Sequence, residues 1–503
     1  MRRFLLTAAG GAAISALLAT PASADTLREA LVRAYNTNPT LSAARADLRA
    51  QDENVPIARA DGLPSLQTQA DFTETMKNAQ NNFLAPERAL NASASVSYPV
   101  LSFGAVRNSV NAARTRVEAG RASLRGTEAD LFTNVVASYM DVIRDEAIVA
   151  LNQQNVRALQ VNLQATRDRF EVGDLTRTDV AQSEARLAVA EGQLRSAEAQ
   201  LIASRETYVR VVGTPPNALE EPPALPNLPS NPDGAVGIAL DNNPLLLAAA
   251  KARDATRYDV SVAKTARLPR VNVIVGSTYY NYLGTLPNGS GTPGNGVGAT
   301  AGLSMTLPLF QGGRPSAQVR QAQARRSQAI EQVTETERGV IAQTRSAFAS
   351  WQSAQQVIHS SEIAVQANKL SLEGVRAENS VGTRTILDIL NAEQELLNSQ
   401  VTLVTARRDA YVAGFALLAA MGQAEAKDLG LDGGPLYDPV ANYNRVKGNI
   451  NDWDDDPDPQ PIATRTVGTP AQTPAIGSNP ELDDPALRRG VDSTPANPAV
   501  TPN

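Results

Sequence analysis

The sequence predicts an internally duplicated α+β membrane protein that combines very long α-helices with a few β-strands. Three observations support this fold class. The 503-residue chain contains 31 prolines, yet none lies between Val100 and Thr214 or between Ser316 and Gly434. Because proline is excluded from helix interiors, both stretches can form continuous helices. Alternating segments typical of strands precede each stretch, and the two halves of the chain repeat one another.

The first residues have the layout of a secretory signal peptide. Arg2 and Arg3 precede an apolar centre, and Ala22-Ser23-Ala24 supplies a small-residue cleavage pattern. We therefore predict that residues 1–24 are a signal peptide and that the mature protein is exported. The apolar centre is short, which disfavours the alternative of an N-terminal membrane anchor.

Residues 25–213 and 235–422 are predicted to form two repeats with one order of elements: helix, two strands, very long helix, break, helix. "NPTLSAARADL" at Asn38 matches "NPLLLAAAKAR" at Asn243, an offset of 205 residues, and later pairs are offset by 209. The later pairs mark changes of element. They are Pro99 with Pro308 and Gly104 with Gly313 at the predicted strand-to-helix transitions, and Gly173 with Gly382 at the predicted helix breaks.

Four segments alternate between small apolar residues and hydroxyl or amide residues. "VGATAGLSMTLPL", Val297 to Leu309, and "NASASVSYPVL" from Asn91 alternate strictly, whereas "LQTQADFT" from Leu66 and "RVNVIVGSTYYNY" from Arg270 do so less cleanly. Such segments match strands of an outer-membrane barrel whose polar face lines water. Their aromatic residues are either girdles at the membrane interface or ordinary packing residues: Phe72, Tyr98, Tyr279, Tyr280 and Tyr282.

Four strands cannot close a barrel, and lipid does not tolerate an open sheet edge, so we expect the chain to oligomerise. The connectors between paired strands, near Thr75 and Gly284, are polar and rich in turn residues, as loops outside a membrane are.

The two proline-free stretches predict helices from about Ala105 to Phe170 and from about Ser316 to Asn379. Each would be roughly 100 Å long at 1.5 Å per residue. Apolar residues recur every seven positions after the first break, a spacing that indicates supercoiled helices: Val180, Leu187, Leu194, Leu201 and Tyr208. An ordinary antiparallel coiled coil explains this spacing too, but it leaves the strands without a purpose.

The remaining segments differ in composition. Residues 214–234 are a proline-rich linker between the repeats. Residues 451–503 are rich in proline and aspartate, and we expect them to be disordered, because they bury too little apolar surface to offset the entropy of ordering.

The residue inventory argues against an enzyme and against a nucleic-acid partner. The formal net charge is −6 and the pI about 5.2, which argues against a nucleic-acid partner, because a phosphate-binding face needs clustered Lys and Arg. One histidine, His359, and no cysteine leave no His/Cys metal cluster and no histidine-based catalytic triad. We therefore predict no catalytic residue, no cofactor and no metal.

These features together resemble the TolC-type outer-membrane channels of type I secretion and multidrug efflux. The resemblance spans about Thr26 to Leu431 and rests on the duplicated layout, "YPVLSFG" at Tyr98, "LPLFQGG" at Leu307 and "SVGTRTILDIL" at Ser380. It implies a homotrimer in the outer membrane of a Gram-negative bacterium, in contact with outer-membrane lipid. Twelve strands would form one shared barrel, and twelve helices would form a tunnel through the periplasm, with residues 423–450 as a periplasmic equatorial segment.

The resemblance also implies partners and a mechanism. A periplasmic adaptor (membrane fusion) protein and an inner-membrane transporter of the ABC, RND or MFS type would recruit the channel and open its closed tip. Arg384 matches an arginine that tethers the inner helix pair to a neighbouring outer pair. Thr178 and Asp179 match the acceptors of that tether, and Asp388 matches a ring of carboxylates in the constriction.

The sequence departs from this pattern at two positions of the periplasmic gate. Asn391 stands where a second aspartate ring is expected, and Asn379 stands where a tyrosine of the tether is expected. Each matching residue also has an ordinary interpretation. Arg384 can be a surface arginine after a helix break, and Asp388 and Asp179 can be carboxylates that stabilise helix starts through the macrodipole.

The function predicted on this basis is a passive exit duct for proteins, drugs or both. The alternative is a periplasmic coiled-coil structural or adaptor protein without a pore, which fits the heptads but not the four alternating segments.

Overall fold

The computed structural model describes residues 25–77, 86–226, 228–286, 291, 293–431 and 436–476. The predicted signal peptide, residues 1–24, lies outside the described residues, as do residues 477–503 of the predicted tail and parts of both strand connectors.

The order of elements confirms the internal duplication. The first repeat contains α1 (Leu27–Thr37), α2 (Pro39–Asp52), α3 (Asn54–Ala60), β1 (Ser65–Glu74), β2 (Arg88–Leu101), α4 (Ala105–Glu171) and α5 (Arg177–Val212). The second contains α6 (Pro232–Asn242), α7 (Pro244–Thr265), β3 (Arg270–Asn281), β4 (Asn295–Thr306), α8 (Arg314–Ser380) and α9 (Ile386–Ala420), and α10 (Ala441–Val446) follows it. Helix α6 begins inside the predicted linker 214–234.

The single helix expected at the start of each repeat is divided. Asn38 and Asn243 have extended backbone conformations, with ψ of 129° and 121°, and each caps the helix that begins at the proline after it. The residue before a proline is driven out of the helical region, and an asparagine there accepts from the free N–H groups of the next helix. The repeated Asn-Pro pair therefore creates a corner in both halves.

The four strands form one antiparallel sheet in the order β1-β2-β3-β4. Its register brings the apolar sets together, since Ala92 lies opposite Ala70 and Tyr279, and Tyr279 lies opposite Val297. The sheet thus has one apolar and one polar face, as the alternation predicts. Strand β4 ends at Thr306, short of the predicted Leu309, because proline 308 has no N–H to donate to a ladder.

The girdle interpretation is wrong for Tyr280. Tyr280 lies opposite Asn91 and Gly296, on the polar face, whereas its neighbour Tyr279 lies on the apolar face. Successive side chains of a strand point to opposite sides, so both cannot face lipid.

Each sheet half leads into a long helix through a glycine. Gly104 and Gly313 precede α4 and α8 with φ of 84° and 81°, a left-handed conformation that glycine adopts without steric strain. The ladder of β2 is irregular between Pro99 and Leu101, and Pro308 follows the end of β4. The four predicted transition residues therefore lie where strand gives way to helix.

Helices α4 and α8 contain 67 residues each, which is about 100 Å of helix. Helix α4 pairs with α5, and α8 pairs with α9. Within the described ranges, no helix has both the length and the hydropathy of a membrane-spanning helix.

The main core lies far from the sheet, where the short helices surround α4 and the ends of α5 and α9. Its largest fully buried side chains include Phe132, Tyr139, Tyr208 and Phe415. The Tyr139 hydroxyl lies 2.8 Å from the carbonyl oxygen of Asp25 and 2.7 Å from that of Glu220. Burial raises the pKa of Tyr139, so this hydroxyl stays protonated.

Residues 451–476, expected to be disordered, have neither helix nor strand but contact the rest of the chain, with residues 464–473 lying along α5. The Gln472 N–H donates to the Glu206 carboxylate at 3.1 Å, the Arg205 guanidinium donates to the Thr473 carbonyl, and Ile476 packs against the main core. Composition missed these contacts because most are made by backbone groups, which any sequence possesses.

Candidate functional site

The two helix breaks, which end the long helices, have the same backbone geometry. At the first, the N–H of Gly173 donates to Phe170 O at 3.0 Å, and the N–H of Asp174 donates to Arg169 O at 2.9 Å. At the second, Gly382 donates to Asn379 O and Thr383 to Glu378 O, both at 3.0 Å. These are paired Schellman hydrogen bonds, which require the left-handed glycine; φ is 85° at Gly173 and 81° at Gly382.

A capping box starts the returning helix after each break. Thr385 and Asp388 exchange hydrogen bonds between side chain and backbone, at 3.0 Å from Thr385 N to the carboxylate and 3.3 Å from Asp388 N to the hydroxyl. Thr176 and Asp179 do the same at 2.9 and 3.3 Å. The bonds to Thr385 lower the pKa of Asp388, and those to Thr176 lower the pKa of Asp179. The helix-start interpretation therefore describes both carboxylates in the single chain.

Arg384 is bound within its own turn. Its Nε donates to Glu378 Oε2 at 2.7 Å, and the Arg384 carbonyl accepts from Asn379 Nδ2 at 2.7 Å. Thr178 is exposed at the other break. One chain therefore does not bring Arg384 to Thr178 or Asp179, and the tether remains a prediction about contacts between copies.

A group of five side chains, which we call the inter-pair link, joins the two helix pairs. The Glu393 carboxylate on α9 accepts from Asn162 Nδ2 on α4 at 2.9 Å and from Arg376 on α8 at 2.9 Å. Close by, Asn391 Oδ1 accepts from Arg186 on α5 at 2.9 Å. Asn391 was predicted as a gate residue, and the structure places it in a contact between the pairs.

Glu393 is the central residue of the inter-pair link, because it is only 6% exposed and its carboxylate accepts hydrogen bonds from two other helices. A buried carboxylate needs such partners to offset its desolvation. The sequence contained a signal for it: Glu393 follows Ile389 by four positions and precedes Leu396 by three, so it stands on the apolar stripe of α9. The residue pattern alone did not identify its partners.

Apolar contacts support the inter-pair link. Leu390 packs with Val156, Leu159 and Ala190, which joins α9 to α4 and α5. Farther from the breaks the pairs separate, and a groove of about 940 Å³ opens between α4, α5 and α9. The pairs are therefore joined near the breaks, part at this groove, and meet again beyond it in the main core. In the described ranges, no group of three or more His, Cys, Asp or Glu residues is placed to hold a metal ion.

A sheet with one apolar face, continued by paired helices about 100 Å long that end in tight turns, defines an outer-membrane channel that extends through the periplasm. The chain belongs to the outer membrane efflux protein family, whose model matches residues 30–214 and 235–423. It is accordingly a protein of the Gram-negative outer membrane, in a family of transport channels.

Known proteins resemble the chain over most of its length. The outer membrane efflux protein BepC of Brucella suis is 34% identical over 429 residues, covering 85% of this chain and 91% of BepC. The outer membrane protein TolC of Escherichia coli is 26% identical over 430 residues, covering 83% of this chain and 86% of TolC. The crystal structure of VceC from Vibrio cholerae superposes with a TM-score of 0.66 at 25% identity, over 79% of this chain and 96% of that one.

Proposed function

We propose that three copies of the chain form a passive exit duct for multidrug efflux, type I protein secretion or both. A periplasmic adaptor and an inner-membrane transporter of the ABC, RND or MFS type supply the energy and open the tip. The duct itself performs no catalysis. The observation that carries this proposal is the four-stranded sheet, which has an apolar face and two edge strands, β1 and β4, without a partner in the described chain.

The exposed side chains of β4 support the trimer. Val297, Leu303 and Met305 are 74%, 75% and 66% exposed in the single chain. In the trimer, lipid would cover the apolar face of this strand, and β1 of a second copy would pair with its free edge. Three copies place twelve strands in one barrel, which removes every free edge.

The long helix α8 also leaves apolar side chains exposed in the single chain. Val357, Ile363 and Leu370 of α8 are 42%, 56% and 70% exposed, whereas α4, of equal length, buries a long series of residues. Packing of α8 against the next copy accounts for this asymmetry between two helices that otherwise correspond.

The assembly is tested on the purified full-length protein. We expect solubility only with detergent, and a complex about three times the 53.2 kDa of one chain that separates into monomers on heating in an SDS gel. Such behaviour follows from an apolar barrel surface and a shared sheet. A water-soluble monomer would refute the duct and favour the non-pore coiled-coil alternative.

The gate is tested by single-channel conductance in planar bilayers. In the trimer, Arg384 reaches the outer helix pair of a neighbouring copy at Thr178 and Asp179, and three Asp388 side chains surround the constriction. We expect Arg384→Ala to raise the resting conductance severalfold and Asp388→Ala to weaken block by multivalent cations. Arg177→Ala, at the first break, is the matched control.

These variants separate the gate from the caps. Arg177 is exposed and comes after Gly173, the first-repeat counterpart of Gly382. Its loss should therefore change neither the resting conductance nor the block by multivalent cations. If Arg384→Ala and Asp388→Ala behave like Arg177→Ala, the gate assignment fails while the duct stands.

The relatives indicate only the class of cargo and partner for this chain. BepC is named as an efflux protein, which supports efflux for this chain. Affinity purification of the native channel with its inner-membrane partners would identify the transporter type and with it the cargo.

A further inference from the structure

Two tyrosines lie on the polar face of the sheet, at the end remote from the long helices. Tyr280 is opposite Asn91 and Gly296, whereas Arg270, at the start of the same strand, is opposite Thr306 next to the helices. Ten steps along a strand separate Tyr280 from Arg270 by about 30 Å. In a barrel whose apolar face meets lipid, Tyr280 therefore faces the lumen near the outer mouth.

The second tyrosine extends this surface. Tyr282 lies two positions farther on, its N–H donates to Gly294 O at 2.7 Å, and its ring centroid is 5.2 Å from that of Tyr280. The pairing of β3 with the chain before β4 thus continues past the strand end. The two rings form one aromatic patch, which we call the lumen patch.

A glycine on the next strand lets the Tyr280 ring lie against the wall. A Cβ atom at position 296 would be 2.6 Å from Tyr280 Oη and 2.8 Å from Cζ, closer than atoms can approach. The ring therefore covers the backbone of Gly296 and is half-buried there. The part of the side chain that stays exposed is on the polar face, toward the lumen of a closed barrel.

Negative charge lies beside the lumen patch. Asp71 is opposite Asn91, two strands from Tyr280 or about 10 Å away, and its carboxylate accepts from Gln69 Nε2 at 2.9 Å. In a closed barrel, β1 of the next copy would lie beside β4 and bring a second Asp71 to the same lumen wall. Among the strand residues that the structure describes on this face, Asp71 and Arg270 are the charged ones.

We propose that the lumen patch binds organic cations in transit, through the faces of Tyr280 and Tyr282 and the field of Asp71. A cation within about 6 Å of a tyrosine ring is attracted by the ring quadrupole, and a nearby carboxylate raises the local cation concentration. The inference rests on the proposed trimeric duct, because only a closed barrel has a lumen. It places a specificity element at the outer end, away from the periplasmic gate.

Binding of methyl viologen, a planar organic dication, to the full-length trimer in lipid nanodiscs tests the proposal by titration calorimetry. Cation–π energies predict that Tyr280→Leu weakens binding by about three- to thirtyfold. Asp71→Asn should weaken it less, by a factor that shrinks as salt is added. Tyr279→Leu is the matched control, since Tyr279 is the adjacent tyrosine on the apolar face and should leave binding unchanged.

The outcomes separate this proposal from the duct. Conductance of the same preparations in planar bilayers shows whether a channel forms at all. A conducting wild type whose viologen affinity is the same in Tyr280→Leu, or falls equally in Tyr279→Leu, overturns the lumen patch and leaves the duct intact. A protein that forms a trimer but never conducts overturns the duct itself. Gly296→Ala is a second test of the lumen patch, because it displaces the Tyr280 ring without deleting it. This variant should also weaken viologen binding.

Discussion

Replacement of Glu393 by alanine is expected to open the resting channel. The carboxylate is buried, and its loss leaves the Arg376 guanidinium and the Asn162 amide without their acceptor. Removal of one member of a buried ion pair costs about 3–5 kcal/mol, and we expect the lower end because Arg376 is 31% exposed. If the inter-pair link forms only in the closed state, the open population rises by about a hundredfold for each 2.7 kcal/mol lost.

The measurement is resting conductance of the full-length trimer in planar bilayers, with Glu395→Ala as the control. Glu395 has an exposed side chain on the same helix, and its backbone oxygen accepts a hydrogen bond from Asn368. That variant should conduct like wild type. Glu393→Gln should fall between the two, since the amide can still accept from Asn162 but no longer balances the charge of Arg376. A Glu393→Ala channel as closed as Glu395→Ala would show that the inter-pair link does not hold the tip.

The parts of the fold that the sequence predicted are those set by local rules. Exclusion of proline together with the glycine breaks located the ends of α4 and α8 to within two residues, and strict alternation located the faces of the strands. The Gly173 and Gly382 breaks followed from the chemistry of a left-handed residue. Each of these depends on neighbours along the chain, so one sequence is enough.

Such local rules could not predict the inter-pair link. Asn162 and Glu393 are 231 positions apart, and which amide meets which carboxylate depends on how two helix pairs pack side by side. The orientation of Tyr280 was different, because the period of a strand already puts Tyr279 and Tyr280 on opposite faces. That error arose from grouping aromatic residues by type without applying the alternation to them.

Replacement of Gly422 by alanine is expected to destabilise the fold more than any other glycine-to-alanine change at the helix ends. Gly422 follows α9 with φ of 71°, and an added Cβ would lie 2.4 Å from the carbonyl oxygen of Asn242. The clash is with backbone, which cannot rotate away, and it adds to the about 1–2 kcal/mol of a left-handed alanine. It also disturbs the neighbouring Asn243, whose Nδ2 donates to Ala420 O at 2.8 Å. We expect a total loss of about 3–5 kcal/mol.

The first repeat contains the control for this change. Gly213 ends α5 with φ of 91°, and Asn38 Nδ2 donates to Val211 O at 2.9 Å, so the corner is the same. A Cβ at Gly213, however, would come no closer to another atom than 3.4 Å, the distance to the Thr37 hydroxyl oxygen. Gly213→Ala should therefore lose little more than the about 1–2 kcal/mol of the left-handed conformation. Unfolding of the helices followed by circular dichroism compares the two variants, and equal losses would show that backbone conformation alone, and not the contact with Asn242, makes position 422 a glycine.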